Sequence, residues 1–116
     1  MPAISIKRIY DEPSPGDGYR MLVDRIWPRG VKKTSAKLDE WNKQLPPSDE
    51  LRKWFNHKPE RFKAFEEKYR LELEKQTEEL KRVKALARHQ ELTLLYGAKD
   101  PEMNQAVVLR AVLSGR

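Results

Sequence analysis

The 116-residue chain contains no cysteine, two histidines and five glycines. Without thiols there is no disulfide framework and no thiolate nucleophile, which fits a reducing compartment. The two histidines, His57 and His89, stand far apart with no repeated histidine or carboxylate spacing, so no metal site is expected. Long apolar runs are missing as well, and that excludes a transmembrane helix. The opening "MPAISIKRIY" lacks the uninterrupted apolar stretch of a secretory signal, so the expected location is cytoplasmic. No G-x-S-x-G nucleophile motif occurs. Gly16-Asp17-Gly18 is followed by a strand pattern rather than a helix, so it is not a phosphate loop.

What the chain does have is charge. Lysine and arginine number 24 against 18 acids, a net charge of +6. Charged residues make up 36% and hydrophobic residues 38%, which describes one domain over residues 1–116 with a modest core and a very polar surface. The positive surplus favours anionic partners, either a nucleotide or phosphorylated small molecule or a nucleic acid.

Periodicity then places the elements. "AISIKRIY" alternates apolar and polar residues and reads as a strand, with Ile4, Ile6 and Ile9 as its inward-facing candidates. "DEPSPGDG", with its two prolines, two glycines and three acids, reads as a loop. "YRMLVDRIW" is a second strand whose centre, Met21-Leu22-Val23, is apolar without alternation, as in a central strand with helices on both sides. The short link between these strands favours a hairpin, because a parallel crossover between neighbours needs about a dozen residues.

Leu38, Trp41 and Leu45 stand at helical spacing before Pro46-Pro47, which predicts a short helix. Ser48 is a good N-cap for the next helix, with Leu51, Trp54 and Phe55 turned inward and an end near Asn56-His57. Pro59 opens a third helix carrying Phe62, Phe65, Tyr69 and Leu73. A weak stripe around Lys75–Thr77 separates it from a fourth, Thr77 to about His89, with Thr77 as its cap. The mixed charges of "RFKAFEEKYRLELEKQTEELKRVK" read as a solvated helix face. Leu92 to Tyr96 is a strand core ended by Gly97. A final helix starts near Pro101 and packs through Val107, Val108, Ala111 and Val112. The sum is an α/β domain with a small three- to four-stranded sheet, largely parallel or mixed, flanked by about five helices.

Two strands end in polar clusters: Asp24, Arg25, Trp27, Arg29 and Gly30 after the second, and Tyr96, Gly97, Lys99 and Asp100 after the last, with Asn104 following. Ligands of open α/β sheets gather beyond the carboxyl ends of strands. If both strands point the same way, the clusters share one edge and form an anion site. Arg25 or Arg29 would grip the ligand bidentately beside Trp27, Tyr96, Lys99 and Asn104. Asp24 or Asp100 would serve as a general base or bind a metal. Each residue also has a plainer reading. Asp24 and Arg25 form an ion pair, Trp27-Pro28 makes a corner, and Asp100 caps the final helix.

"DGYRMLVDRIWPRG", "LDEWNKQLPPSDELRKWFNH" and "LTLLYGAKD" with Asn104 resemble the YeaO-like family of small prokaryotic proteins, a domain of unknown function numbered 488. The resemblance covers nearly the whole chain. It includes a D-R-x-W-P-R-G element, here Asp24, Arg25, Trp27, Pro28, Arg29 and Gly30. It also includes a Y-x-A-K-[DN] element, here Tyr96, Ala98, Lys99 and Asp100. The resemblance implies a compact cytoplasmic α/β domain and brings no reaction or cofactor with it. Wider relatives place a helix between the first two strands, which would make them parallel; this chain has only "DEPSPGDG" there, so their direction stays open. Three functions therefore stand side by side. One is an anion pocket with or without catalysis. Another is a nucleic-acid module using Lys7, Arg8, Arg20, Lys32 and Lys33 with Trp27 as a stacking platform. The third is a protein-interaction domain whose polar strand ends are structural.

Overall fold

Leu92–Tyr96, an unbroken run with every residue buried, forms a strand on the inside of the sheet. The computed structural model describes residues 3–116. In chain order the elements are β1 (Ile4–Arg8), β2 (Tyr19–Leu22), α1 (Lys33–Ala36), β3 (Glu40–Trp41), α2 (Asp49–Phe55), α3 (Phe62–Leu73), α4 (Thr77–His89), β4 (Leu92–Tyr96) and α5 (Gln105–Leu113). The sheet order is β1-β4-β2-β3, and all three pairings are parallel.

Strand alternation divides the interior. Leu92, Leu94 and Tyr96 join Met21 and Val23 in the main core with helix residues such as Phe65 and Tyr69. Leu22 and Leu95 point the other way, into a smaller cluster with Ile9 and Ala36, covered by Trp27 and Trp41. β2 is thus an inner strand buried on both faces, as its composition predicts, although α1 and the neighbouring loops, rather than long helices, cover its second face.

The expected hairpin does not form. β4 lies between β1 and β2, so the link between them joins strands that are not neighbours, and the length rule for adjacent strands does not apply. The link itself is well anchored. The Asp17 carboxylate accepts the Ser14 N–H at 3.0 Å and pairs with Lys7 at 3.1 Å and with buried Arg20 at 2.5 Å. Arg20 also donates to the Ala36 carbonyl at 2.8 Å, tying β2 to α1. Burial alone would raise the Asp17 pKa. The Ser14 backbone and hydroxyl, with Lys7 and Arg20, outweigh it and hold the carboxyl at about 2.

The predicted helix at Leu38–Leu45 is absent. Leu38 and Trp41 pack into the small cluster, whereas Leu45 enters the main core on the opposite side of the sheet. A helix with all three on one stripe could not do that. Instead Glu40–Trp41 pair with Met21 and Leu22, and the Asn42 side chain accepts the N–H groups of Gln44 and Leu45 at 2.9 and 2.8 Å.

Ser48 caps α2 by accepting the Leu51 N–H at 3.1 Å, and Glu72 of α3 clasps the Ser48 N–H and hydroxyl at 2.8 and 2.6 Å. Leu51 and Phe55 point inward; Trp54 is exposed beside the Arg61 and Lys68 cations. A 3-10 turn, Pro59–Arg61, precedes α3, and the break before α4 falls where the apolar stripe fades. Gln76, not Thr77, holds the N-cap position of α4, and the Thr77 hydroxyl donates to the Glu74 carbonyl. α5 begins at Gln105 rather than near Pro101, with Asn104 as its cap, and buries Ala106, Val108, Leu109 and Leu113. Val107, Ala111 and Val112 are only partly buried. Among the described residues no helix is long and apolar enough to cross a membrane.

Candidate functional site

Because β2 and β4 are parallel neighbours, their carboxyl ends lie at one edge of the sheet. A cleft of about 910 Å³ opens there, between the two strand ends on one side and the end of α2 on the other. Asp24, Arg25, Trp27, Arg29, Lys99 and Asp100 all line it. The sequence clusters that follow the two strands therefore meet.

Asp24 forms part of the cleft surface. One carboxylate oxygen accepts the Gly97 N–H at 2.8 Å, and the other accepts the side-chain amide of Gln105. Burial pushes its pKa up to about 6, against the opposing pull of the Gly97 and Gln105 donors. It forms no pair with Arg25. That guanidinium instead donates to the carbonyls of Pro47 at 2.8 Å and Pro46 at 3.0 Å, stitching the end of β2 to the approach of α2. The Arg8 guanidinium holds the other wall, donating to the Ala98 carbonyl at 2.9 Å.

Trp27 is fixed from two sides. Its indole N–H donates to the Val31 carbonyl at 2.7 Å, and its ring meets Trp41 edge-on at 5.2 Å. Arg29 and Lys99 are exposed on the cleft, and neither makes an ion pair among the described residues. Arg52 and Lys53, on the α2 side, share Asp49 at 2.7 and 3.3 Å. Asp100 is exposed, and its carboxylate accepts the Glu102 and Met103 N–H groups, turning the chain before α5. Asn104 is buried. It accepts the Val107 N–H at 3.1 Å and donates to the Asp100 carbonyl at 2.8 Å. Tyr96 is buried too, and burial raises the pKa of its hydroxyl. Neither Tyr96 nor Asn104 lines the cleft.

Sequence reasoning missed Gln105, which holds Asp24, and the α2 wall with Phe55, Asn56 and His57. Asn56 and His57 are consecutive left-handed residues, with φ of 46° and 55°. The asparagine suits such a C-cap, but nothing in the one-dimensional pattern shows that this end faces the end of β2. Among the described residues no group of three His, Cys, Asp or Glu side chains is placed to hold a metal ion.

Family comparison adds to this geometry. The profile described as the "Inactive DUF488-N3 subclade" matches residues 3–116. The chain belongs to that DUF488-N3i family. Within the DUF488 group it is 50% identical over 106 residues to a protein of Escherichia coli named "Uncharacterized protein YeaO", covering 91% of this chain and 92% of that one. It is 36% identical over 113 residues to uncharacterized proteins of Mycobacterium tuberculosis and Mycobacterium bovis, covering 97% of this chain and 95% of theirs. No solved structure matches the chain.

Proposed function

We propose that this DUF488-N3i domain is a cytoplasmic binding protein for an anionic small molecule, a nucleotide or another phosphorylated compound, held in the cleft at the strand ends. The observation that carries this reading is the meeting in one cleft of two exposed cations, Arg29 and Lys99, which make no ion pair among the described residues, with a partly buried carboxylate, Asp24. No acid among the described residues takes up these cations, which leaves them open to a ligand. Pinning of the strand ends by Arg8 and Arg25 supplies the rigid support that a binding site needs. The family's description as inactive favours binding over turnover. Asp100 is already engaged in a local turn, which leaves Asp24 as the one titratable acid suited to proton chemistry there.

Nucleic-acid binding is the weaker reading. Lys7 and Arg20 are committed to Asp17, Arg8 to carbonyls, and the Trp27 ring to Trp41. Calorimetric titration with inorganic pyrophosphate at low ionic strength tests the proposal, using the wild type and an Arg29→Ala/Lys99→Ala variant. Saturable binding to the wild type, lost in the variant at unchanged melting temperature, is the expected result. Equal binding by both proteins, or by neither, overturns it.

A further inference from the structure

We propose that the ligand of this cleft carries, at the end away from its phosphate, two adjacent N–H donors, so that guanine nucleotides are preferred over other nucleotides. The inference rests on the anion-cleft reading and specifies it. A carboxylate offers about four acceptor positions and no donor. On Asp24 one position is taken by the Gly97 N–H and one by Gln105, which leaves two on a side chain that lines the cleft. Gln105 turns its amide nitrogen to Asp24, because only that end can donate to a carboxylate; its carbonyl oxygen is then a further acceptor. This part of the cleft is therefore rich in acceptors.

The charges also orient a ligand. A phosphate is repelled by Asp24 and attracted by Arg29 and Lys99, so a phosphorylated molecule enters with its other end toward the carboxylate. Of the common nucleobases, guanine presents a ring N–H beside an exocyclic amino group, the two-donor edge that a carboxylate accepts bidentately. Adenine and cytosine set a ring acceptor beside their amino group. Uracil flanks its single N–H with two carbonyls. Each of these puts lone pairs against lone pairs at Asp24. The cleft volume of about 910 Å³ lies within the range of small-molecule sites, roughly 300–1,000 Å³. Tyr10, exposed on the same cleft and fixed by its hydroxyl bond to the Arg29 carbonyl at 2.9 Å, adds aromatic surface for a base.

The test is a calorimetric series at low ionic strength and neutral pH with guanosine monophosphate, inosine monophosphate, adenosine monophosphate and ribose 5-phosphate. Guanosine monophosphate should bind at least about tenfold more tightly than adenosine monophosphate, the margin of one charge-assisted hydrogen bond. Inosine monophosphate, which lacks the exocyclic amine, should fall between them. In Asp24→Asn the guanine preference should collapse to the level of ribose 5-phosphate, which should itself bind no more weakly than to the wild type. If that variant does not fold, the wild-type series decides alone. Equal affinities for the guanine and adenine nucleotides, with ribose 5-phosphate also bound, overturn the two-donor assignment and leave the anion cleft standing. Failure of ribose 5-phosphate and pyrophosphate alike to bind overturns the cleft reading beneath it.

Discussion

The Asp24 carboxylate accepts the Gly97 N–H at 2.8 Å, and the same oxygen would stand 2.8 Å from a Cβ placed on Gly97. The hydrogen bond and the missing side chain are one arrangement: Asp24 can add its carboxylate to the backbone link between Val23 and Leu95 only because residue 97 has no Cβ. Gly97→Ala should therefore push the carboxylate away and break the bond it was making. A loss of about 1–2 kcal/mol in urea unfolding is expected, the scale of a lost charged hydrogen bond with partial relaxation. An unchanged midpoint would mean that Asp24 swings aside freely and that the two strand ends are not pinned there.

Protonation of Asp24 gives a second prediction. Its folded pKa, raised to about 6, lies above the ordinary aspartate value of 3.8. The folded state then holds the proton more tightly than the unfolded chain, so stability falls as pH rises through the interval between those values. The contribution is fully present below about pH 4 and fully lost above about pH 6. Asp24→Asn removes this titration. The wild-type minus variant difference in unfolding free energy should therefore drop by about 1–3 kcal/mol from pH 4 to pH 7 and stay flat beyond. A difference that is constant across the range would show that the carboxyl titrates normally.

How much of this was legible in the residues depends on what each signal measures. Leu92–Tyr96, bounded by polar residues and Gly97, could only be a buried strand, and it is β4. Ser48 before two acids is read locally and caps α2 as expected. Leu38, Trp41 and Leu45 misled, because three apolar residues at helical spacing also fit an irregular segment that feeds both faces of a sheet. The strand order was hidden for a different reason: loop length constrains neighbours, and only long-range contacts reveal that β4 inserts between β1 and β2. The meeting of the two strand-end clusters followed once the strands were taken as parallel. Gln105 carried no signal at all, since a glutamine at the start of a helix is ordinary until the fold sets it against Asp24.

Arg25 yields a third prediction. It lines the cleft, but its guanidinium is spent on the Pro46 and Pro47 carbonyls at 3.0 and 2.8 Å. Arg25→Ala should cost about 1–3 kcal/mol, because two partly buried carbonyls lose their donors. Arg25→Lys should recover only part of that, since an ammonium cannot reproduce the planar two-donor fork. Thermal unfolding of both variants checks this. Full stability of Arg25→Ala together with a large loss of pyrophosphate affinity would instead make Arg25 a ligand-gripping residue.

A buried ion pair lies at the other end of the sheet. There Asp17 pairs with buried Arg20 and with Lys7. The Ser14, Lys7 and Arg20 donors hold the folded Asp17 carboxyl at about 2, below the ordinary aspartate value of 3.8, so the sign is opposite to that of Asp24. Its stabilisation is complete above about pH 4 and is lost as pH falls toward 2. Asp17→Asn leaves Arg20, a residue only 5% exposed, without its counter-charge. Breaking one side of a buried pair costs about 3–5 kcal/mol, and a loss near that range is expected at neutral pH. Replacing both partners, with Asp17→Asn and Arg20→Met, should be less damaging than Asp17→Asn alone, because the uncompensated charge disappears with the arginine. A double variant as unstable as the sum of the single ones would show that Asp17 and Arg20 act independently and that the closure of the Pro15–Asp17 turn, rather than the ion pair, is what the carboxylate secures.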